Sequence, residues 1–149
     1  MTRSNAREIV LHMIMDMDYT QNPSHEVVET RLNKEYYATL QGESEVYAER
    51  PNQKQLNYIR QTTAGIQEKY AELQEDIAKY AKNWNLERIS RIARAVLSLA
   101  IYEIRYVEDV PVGVAVNEAM SLIKKYESEE TAGFINGILG ALVRGEGLK

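Results

Sequence analysis

Apolar residues recur along most of this chain at intervals of three and four, the spacing that brings side chains onto one face of an α-helix. Ala6, Ile9, Val10, Met13 and Met17 form the first such face. Asn5 stands where its side chain can cap the early N–H groups, with Glu8 placed to reach back. Asn22-Pro23-Ser24 predicts a stop, and Ser24 a cap for a second helix through Val27, Val28 and Leu32. Residues 41–52, "QGESEVYAERPN", carry no period and read as a loop. The helical pattern returns through Leu56, Ile59 and Thr63. From Ile66 to Lys82 it predicts a polar, amphipathic helix striped by Tyr70, Leu73, Ile77 and Tyr80.

Residues 83–107 predict the most apolar helix, with Ile89, Ile92, Ala93, Val96, Ala100 and Ile104 facing inward. Arg91 and Arg94 then point to solvent, and Arg88 lies at the flank. Glu103 projects near the apolar edge, where a carboxylate needs a cation or backbone donors. A structural role tying helices together outweighs a catalytic one there. The stretch "VPVGVAVNEA" (110–119) alternates like a strand, but the alternation fails past Val116. Val112, Ala115, Val116, Ala119, Met120 and Ile123 hold a helical period instead. Pro111 suits a first turn and Asp109 a cap. Asn117 and Glu118 lie off that stripe with Val114 between them, so this second face is expected to be contacted as well, by a helix or a partner.

The last predicted helix, from about Glu129 to Val143, puts Phe134, Ile135, Ile138 and Leu142 on one face. Gly133, Gly137 and Gly140 fall on another, with Asn136 beside them. Each mid-helix glycine costs ~1 kcal/mol relative to alanine, so three on one side point to a close backbone approach. Tight helix packing is the first explanation, and a ligand meeting the backbone is the second.

Composition narrows the chemistry. With 149 residues and 44% hydrophobic content, the chain has the size and apolar share of one domain spanning 1–149. It has no cysteine, which excludes disulfides and thiolate sites and fits a cytoplasmic setting. No apolar run reaches membrane-span length, so no membrane association is expected. Its net charge of −4 argues against general adhesion to nucleic acid. The two histidines, His12 and His25, lack a partner imidazole at helical spacing, so no metal site is expected. No catalytic residue, nucleophile–base pair or nucleotide-cofactor motif stands out. An enzyme and a cofactor are therefore not expected.

Binding has better support. Arg3 and Arg7 flank a helix N-terminus, whose N–H groups and dipole favour phosphate. Ten tyrosines against one phenylalanine supply rings that either stack on unpaired bases or serve packing.

The segments "NWNLERISRIARAVLSLAIYEI" (83–104), "DVPVGVAVNEAMSLIKKY" (109–126) and "FINGIL" (134–139) resemble the NusB family of transcription antitermination factors. The opening "AREIVLHMIMDMDYTQN" (6–22) is similar to the family's first helix; 27–65 matches only in helical character. The resemblance implies an all-α fold of about seven helices in two three-helix subdomains. It implies binding of boxA-type RNA from ribosomal RNA leaders together with the ribosomal protein NusE, and entry into the RNA polymerase elongation complex to suppress termination. Carried onto this chain, the RNA-binding residues are Arg3, Arg7, Glu130, Thr131 and Phe134. Glu103, Asn117, Glu118 and Asn136 take structural polar roles.

The chain departs from the family pattern in a less basic N-terminus, and in Glu130, Gly133 and Glu127 where Asp, Lys and Gly are common. Phosphate contacts set affinity and its salt dependence, so weak RNA binding of its own is expected, with a basic partner supplying charge. The alternative is a protein-only scaffold or a homodimeric storage form. A NusB-like domain also fronts some RNA methyltransferases; ending at Lys149, the chain leaves no room for their cofactor domain, which argues against that enzyme.

Overall fold

A computed structural model of the chain describes residues 1–81 and 89–148. These form eight α-helices and one short 3-10 turn, without a strand among the described residues. The helices are α1 (Arg3–Thr20), α2 (Ser24–Leu32), α3 (Lys34–Leu40), α4 (Gln53–Glu68), α5 (Tyr70–Tyr80), α6 (Arg91–Tyr106), α7 (Val112–Tyr126) and α8 (Glu129–Gly145). The 3-10 turn is Glu45–Tyr47, between α3 and α4. The all-helical expectation is met, with one helix more than the seven anticipated. The chain divides into two compact units, Met1–Glu68 and Lys69–Lys149.

In the N-terminal unit α1 packs against both α2 and α4. Its buried Ile9, Val10, Met13, Ile14 and Met17 belong to the core, as do Val27, Val28 and Leu32 of α2 and Ile59 and Ile66 of α4. Each such side chain contributes about 1.5–3 kcal/mol through burial. Even the polar Thr63 is sealed in, its hydroxyl 3.7 Å from Met13 Sδ. Helix α1 starts earlier than Asn5: Thr2 is the cap, and Asn5 donates its N–H to Thr2 Oγ1 at 3.0 Å. It ends at Thr20, with Gln21 in the left-handed region (φ 62°).

Ser24 makes no cap; its N–H donates to Gln67 Oε1 at 2.8 Å. Asn33 separates α2 from α3 by capping the latter, accepting from the N–H groups of Glu35 and Tyr36 at 3.1 Å each. The 41–52 loop is mostly irregular, but Val46 and Tyr47 turn inward and are buried. Arg50 reaches back to the Leu32 carbonyl at 2.7 Å, satisfying an orphan at the end of α2.

The C-terminal unit is built around α6, which touches α5, α7 and α8. Residues Ala95–Ile101 are buried on every side, as expected of a helix surrounded by others. Ser90 caps α6 by accepting from the Ala93 N–H at 3.1 Å. The predicted start at Asn83 and the flank position Arg88 lie outside the described residues. Arg94 departs from its expected solvent position: it is half-buried, donating to Gln74 Oε1 at 2.9 Å. Ile92 and Ile104, expected inward, are only half-buried.

The single helix expected from Ile66 to Lys82 is interrupted at Lys69, so that Ile66 belongs to α4. Leu73 and Ile77 are buried, whereas Tyr70 is half exposed. The 110–119 stretch is helical from Val112 onward, as its period required, with Pro111 at the N-cap and no side-chain cap.

Candidate nucleic-acid interface

The five residues assigned by resemblance fall at two helix N-termini, one in each unit. At the start of α1, the Arg3 guanidinium lies 4.3 Å from the centroid of the Tyr58 ring, a cation–π contact that orients it. Arg7, one turn on, is 2% exposed. Burial gives Arg7 an internal place in the unit, while Arg3 keeps part of its surface open.

At the start of α8, Ser128 accepts from the Thr131 N–H at 3.2 Å and its hydroxyl lies 3.2 Å from that of Thr131. This cap fixes the first turn. Glu129 and Glu130 are exposed there, Thr131 and Phe134 half-buried, and Ala132 and Ile135 turned into the core. Thr131 and Phe134 thus share the first turn and its neighbour with Glu130. The glutamates complement the helix dipole but repel phosphate. Two exposed cations, Lys124 and Lys125, close α7 just before this cap, with Lys124 Nζ 4.0 Å from Glu129. Periodicity and family motif did not single out this "KK" pair, although adjacent lysines at a helix end next to a candidate RNA turn were the available signal.

The glycine edge of α8 differs from the expected tight packing. A Cβ at Gly133 or Gly137 would meet nothing within 4 Å, and at Gly140 only the flexible Arg144 side chain, 3.1 Å away. Both Gly133 and Gly137 are exposed. Within the described residues, the close approach that would explain these glycines is not made by the chain itself. Val114 likewise stands 43% exposed on α7, so among the described residues no helix covers this second face.

Among the expected structural polar residues, Glu103 is 1% exposed inside α6 and Glu118 half-buried on α7. Asn117 and Asn136 face solvent and make no side-chain hydrogen bond among the described residues. The ties expected of these two side chains are thus not made within the described residues. The Glu127 that departs from the family pattern has a defined role, accepting from the Ser90 hydroxyl and so joining the α7–α8 junction to the cap of α6.

Among the described residues, the one carboxylate with a strong shift lies just past the end of α8. Glu146 accepts from Tyr80, Arg105 and Lys79, and these donors hold its carboxyl down at about 2. A carboxylate saturated by three donors serves as a fixed anion. Among the described residues no group of three or more His, Asp or Glu is placed to hold a metal, and no helix is long and apolar enough to cross a membrane.

Known proteins place this arrangement. The model of the NusB family matches residues 4–144. A transcription antitermination protein NusB of Thermoanaerobacter sp. (strain X514) is 36% identical over 149 residues, covering 100% of this chain and 95% of the relative. Its counterpart in Clostridium kluyveri is 30% identical over 155 residues, covering 100% and 99%. The solved structure of T. maritima NusB superposes with a TM-score of 0.79 at 26% identity, covering 97% of this chain and 92% of that one. NusB solved with NusE and double-stranded RNA shares the fold, with a TM-score of 0.74 at 18% identity and 96% of each chain covered. With the match running from Ser4 to Arg144 through both helical units, this chain belongs to the NusB family.

Proposed function

We propose that the chain acts in the cytoplasm as a transcription antitermination factor, binding boxA-type RNA together with the ribosomal protein NusE and joining the RNA polymerase elongation complex. The end-to-end match to transcription antitermination proteins NusB carries this reading. The crystallised assembly of NusB, NusE and RNA supports RNA and NusE as the partner classes. In this reading residues 1–149 work as one RNA-binding domain.

Arg3 at the head of α1, and Thr131 and Phe134 at the head of α8, contact RNA. Lys124 and Lys125 add phosphate contacts, and the open Gly133–Gly137 edge admits the RNA backbone beside them. Glu130 limits affinity through repulsion. Arg7, buried, holds the first turn of α1 in place for Arg3.

A second reading, a protein-only scaffold or homodimeric storage form, is favoured by the burial of Arg7 and the net charge of −4. Fluorescence anisotropy of labelled boxA RNA against a scrambled control separates the two, with the chain alone and with NusE, at low and near-physiological salt. Preference for boxA that strengthens with NusE is the expected result. NusE binding with no RNA preference in any condition establishes the scaffold.

A further inference from the structure

Helix α1 carries a chain of polar contacts that RNA binding does not use. Arg31 of α2 grips Asp16 of α1 through two bonds, Nε to Oδ2 at 2.7 Å and Nη2 to Oδ1 at 3.0 Å. Its remaining Nη1 donates to the Tyr47 hydroxyl at 2.7 Å. The same hydroxyl lies 2.6 Å from His12 Nδ1, and the two rings stack with centroids 5.7 Å apart. His12 Nε2 in turn points toward the buried Glu8 carboxylate, 4.0 Å away.

Donor and acceptor roles follow from this order. A guanidinium only donates, so the Tyr47 oxygen accepts a hydrogen bond from Arg31 and its own proton is left to find an acceptor. The nitrogen at 2.6 Å is that acceptor. Burial, offset in part by Arg31, pushes the Tyr47 hydroxyl up to about 12, so the phenol keeps its proton near neutrality. We propose that Tyr47 locks His12 as the neutral imidazole protonated on Nε2, and that protonating His12 unfastens the 3-10 turn from α1, making this cluster an acid-sensitive clasp on the N-terminal unit.

Charging His12 turns Nδ1 from acceptor to donor, and Tyr47 then faces two donors with no acceptor for its own proton among the described residues. Glu8 and Asp16 on α1 favour the charged ring, and Arg31 on α2 opposes it. From α3, Tyr37 meets Tyr47 edge-on at 5.1 Å, and Arg50 lies over Tyr37 at 4.8 Å. From α4, Tyr58 carries Arg3. The Glu8 carboxylate lies on the Nε2 side of the ring, and the Tyr47 hydroxyl on the Nδ1 side gives the charged state its structural consequence.

Long-range proton–nitrogen correlation on 15N-labelled protein reads the tautomer directly, with exposed His25 as the reference in the same spectrum. The expected spectrum shows His12 protonated on Nε2 at neutral pH. As His12 charges, amide exchange at Val46 and Tyr47, corrected for intrinsic pH dependence, accelerates roughly three- to tenfold, the worth of one hydrogen bond. In Tyr47→Phe the tautomer preference and this coupling both disappear. A proton on Nδ1 at neutral pH, or unchanged protection of the turn while His12 titrates, overturns the proposal. Both readouts come from the wild-type chain and stand even where the variant fails to fold.

Discussion

Each unit is closed by a two-bonded arginine–aspartate pair, and the two pairs differ in what surrounds them. In the N-terminal unit Arg31 and Asp16 meet at 2.7 Å, with Asp16's side chain 36% exposed and the neutral Tyr47 hydroxyl as third partner. In the C-terminal unit Arg105 and Asp76 meet at 2.7 Å, with Asp76 11% exposed and a second carboxylate, Glu146, 3.2 Å from Arg105. One arginine thus serves a wet carboxylate and a phenol; the other serves two carboxylates, one of them nearly dry. Burial decides how much removal of one partner hurts, because the charge left behind must find water. The nature of the third partner decides how each cluster answers to acid.

The sharpest way to break this comparison is to remove the aspartates. Asp16→Ala is expected to cost about 3 kcal/mol, because it leaves Arg31, only 13% exposed, with the neutral Tyr47 hydroxyl as its remaining partner. Asp76→Ala, which leaves the more exposed Arg105 still paired with Glu146, is expected to cost about 1–2 kcal/mol. Urea denaturation of both variants checks the order, and an equal or reversed cost shows that exposure does not set it.

The glycines of α8 come next. Gly145→Ala puts a Cβ 2.7 Å from the Tyr80 ring that bonds Glu146, and a loss of about 1–3 kcal/mol is expected, seen as a lowered melting temperature. Gly137→Ala meets open space and should instead gain about 1 kcal/mol. If RNA lies along that edge, the same variant binds boxA more weakly despite its greater stability; unchanged affinity in the anisotropy titration removes Gly137 from the interface.

Acid sharpens the contrast further. Glu146 sits at about 2 rather than the ordinary 4.5, so its contribution to stability is full above pH 4.5 and is lost as pH falls toward 2. Glu146→Gln should flatten the urea midpoint across pH 5 to 2.5. The smallest expected effect is electrostatic: replacing Lys124 and Lys125 by alanine should lower the salt slope of RNA binding by about 1 for each phosphate that these lysines neutralise.

Much of the fold was legible in the residue pattern, because burial imposes a period. The strand-like valines of 110–119 resolved into α7 once Ala119 and Ile123 were counted, and Leu73 and Ile77 marked the inner face of α5. Boundaries were less legible. Thr2 rather than Asn5 caps α1, since several cap-forming residues stood within reach and only backbone geometry chooses among them. The 3-10 turn was missed because Val46 and Tyr47 are anchored by residues far away in sequence, Tyr47 by Arg31 and His12, and so leave no local period.

The candidate site divides along the same line. Sequence by itself determined the helical class, the family, and the placement of Arg3, Arg7, Glu130, Thr131 and Phe134 at helix starts, since these follow from local order and motif spacing. Only the tertiary structure decided that Arg7 is buried, that Arg94 turns inward to Gln74, that Asn117 and Asn136 face solvent, and that Gly133 and Gly137 line an open edge. A helical period states which residues share a face. What that face meets, whether core, water or a partner, depends on helices brought together from distant parts of the chain.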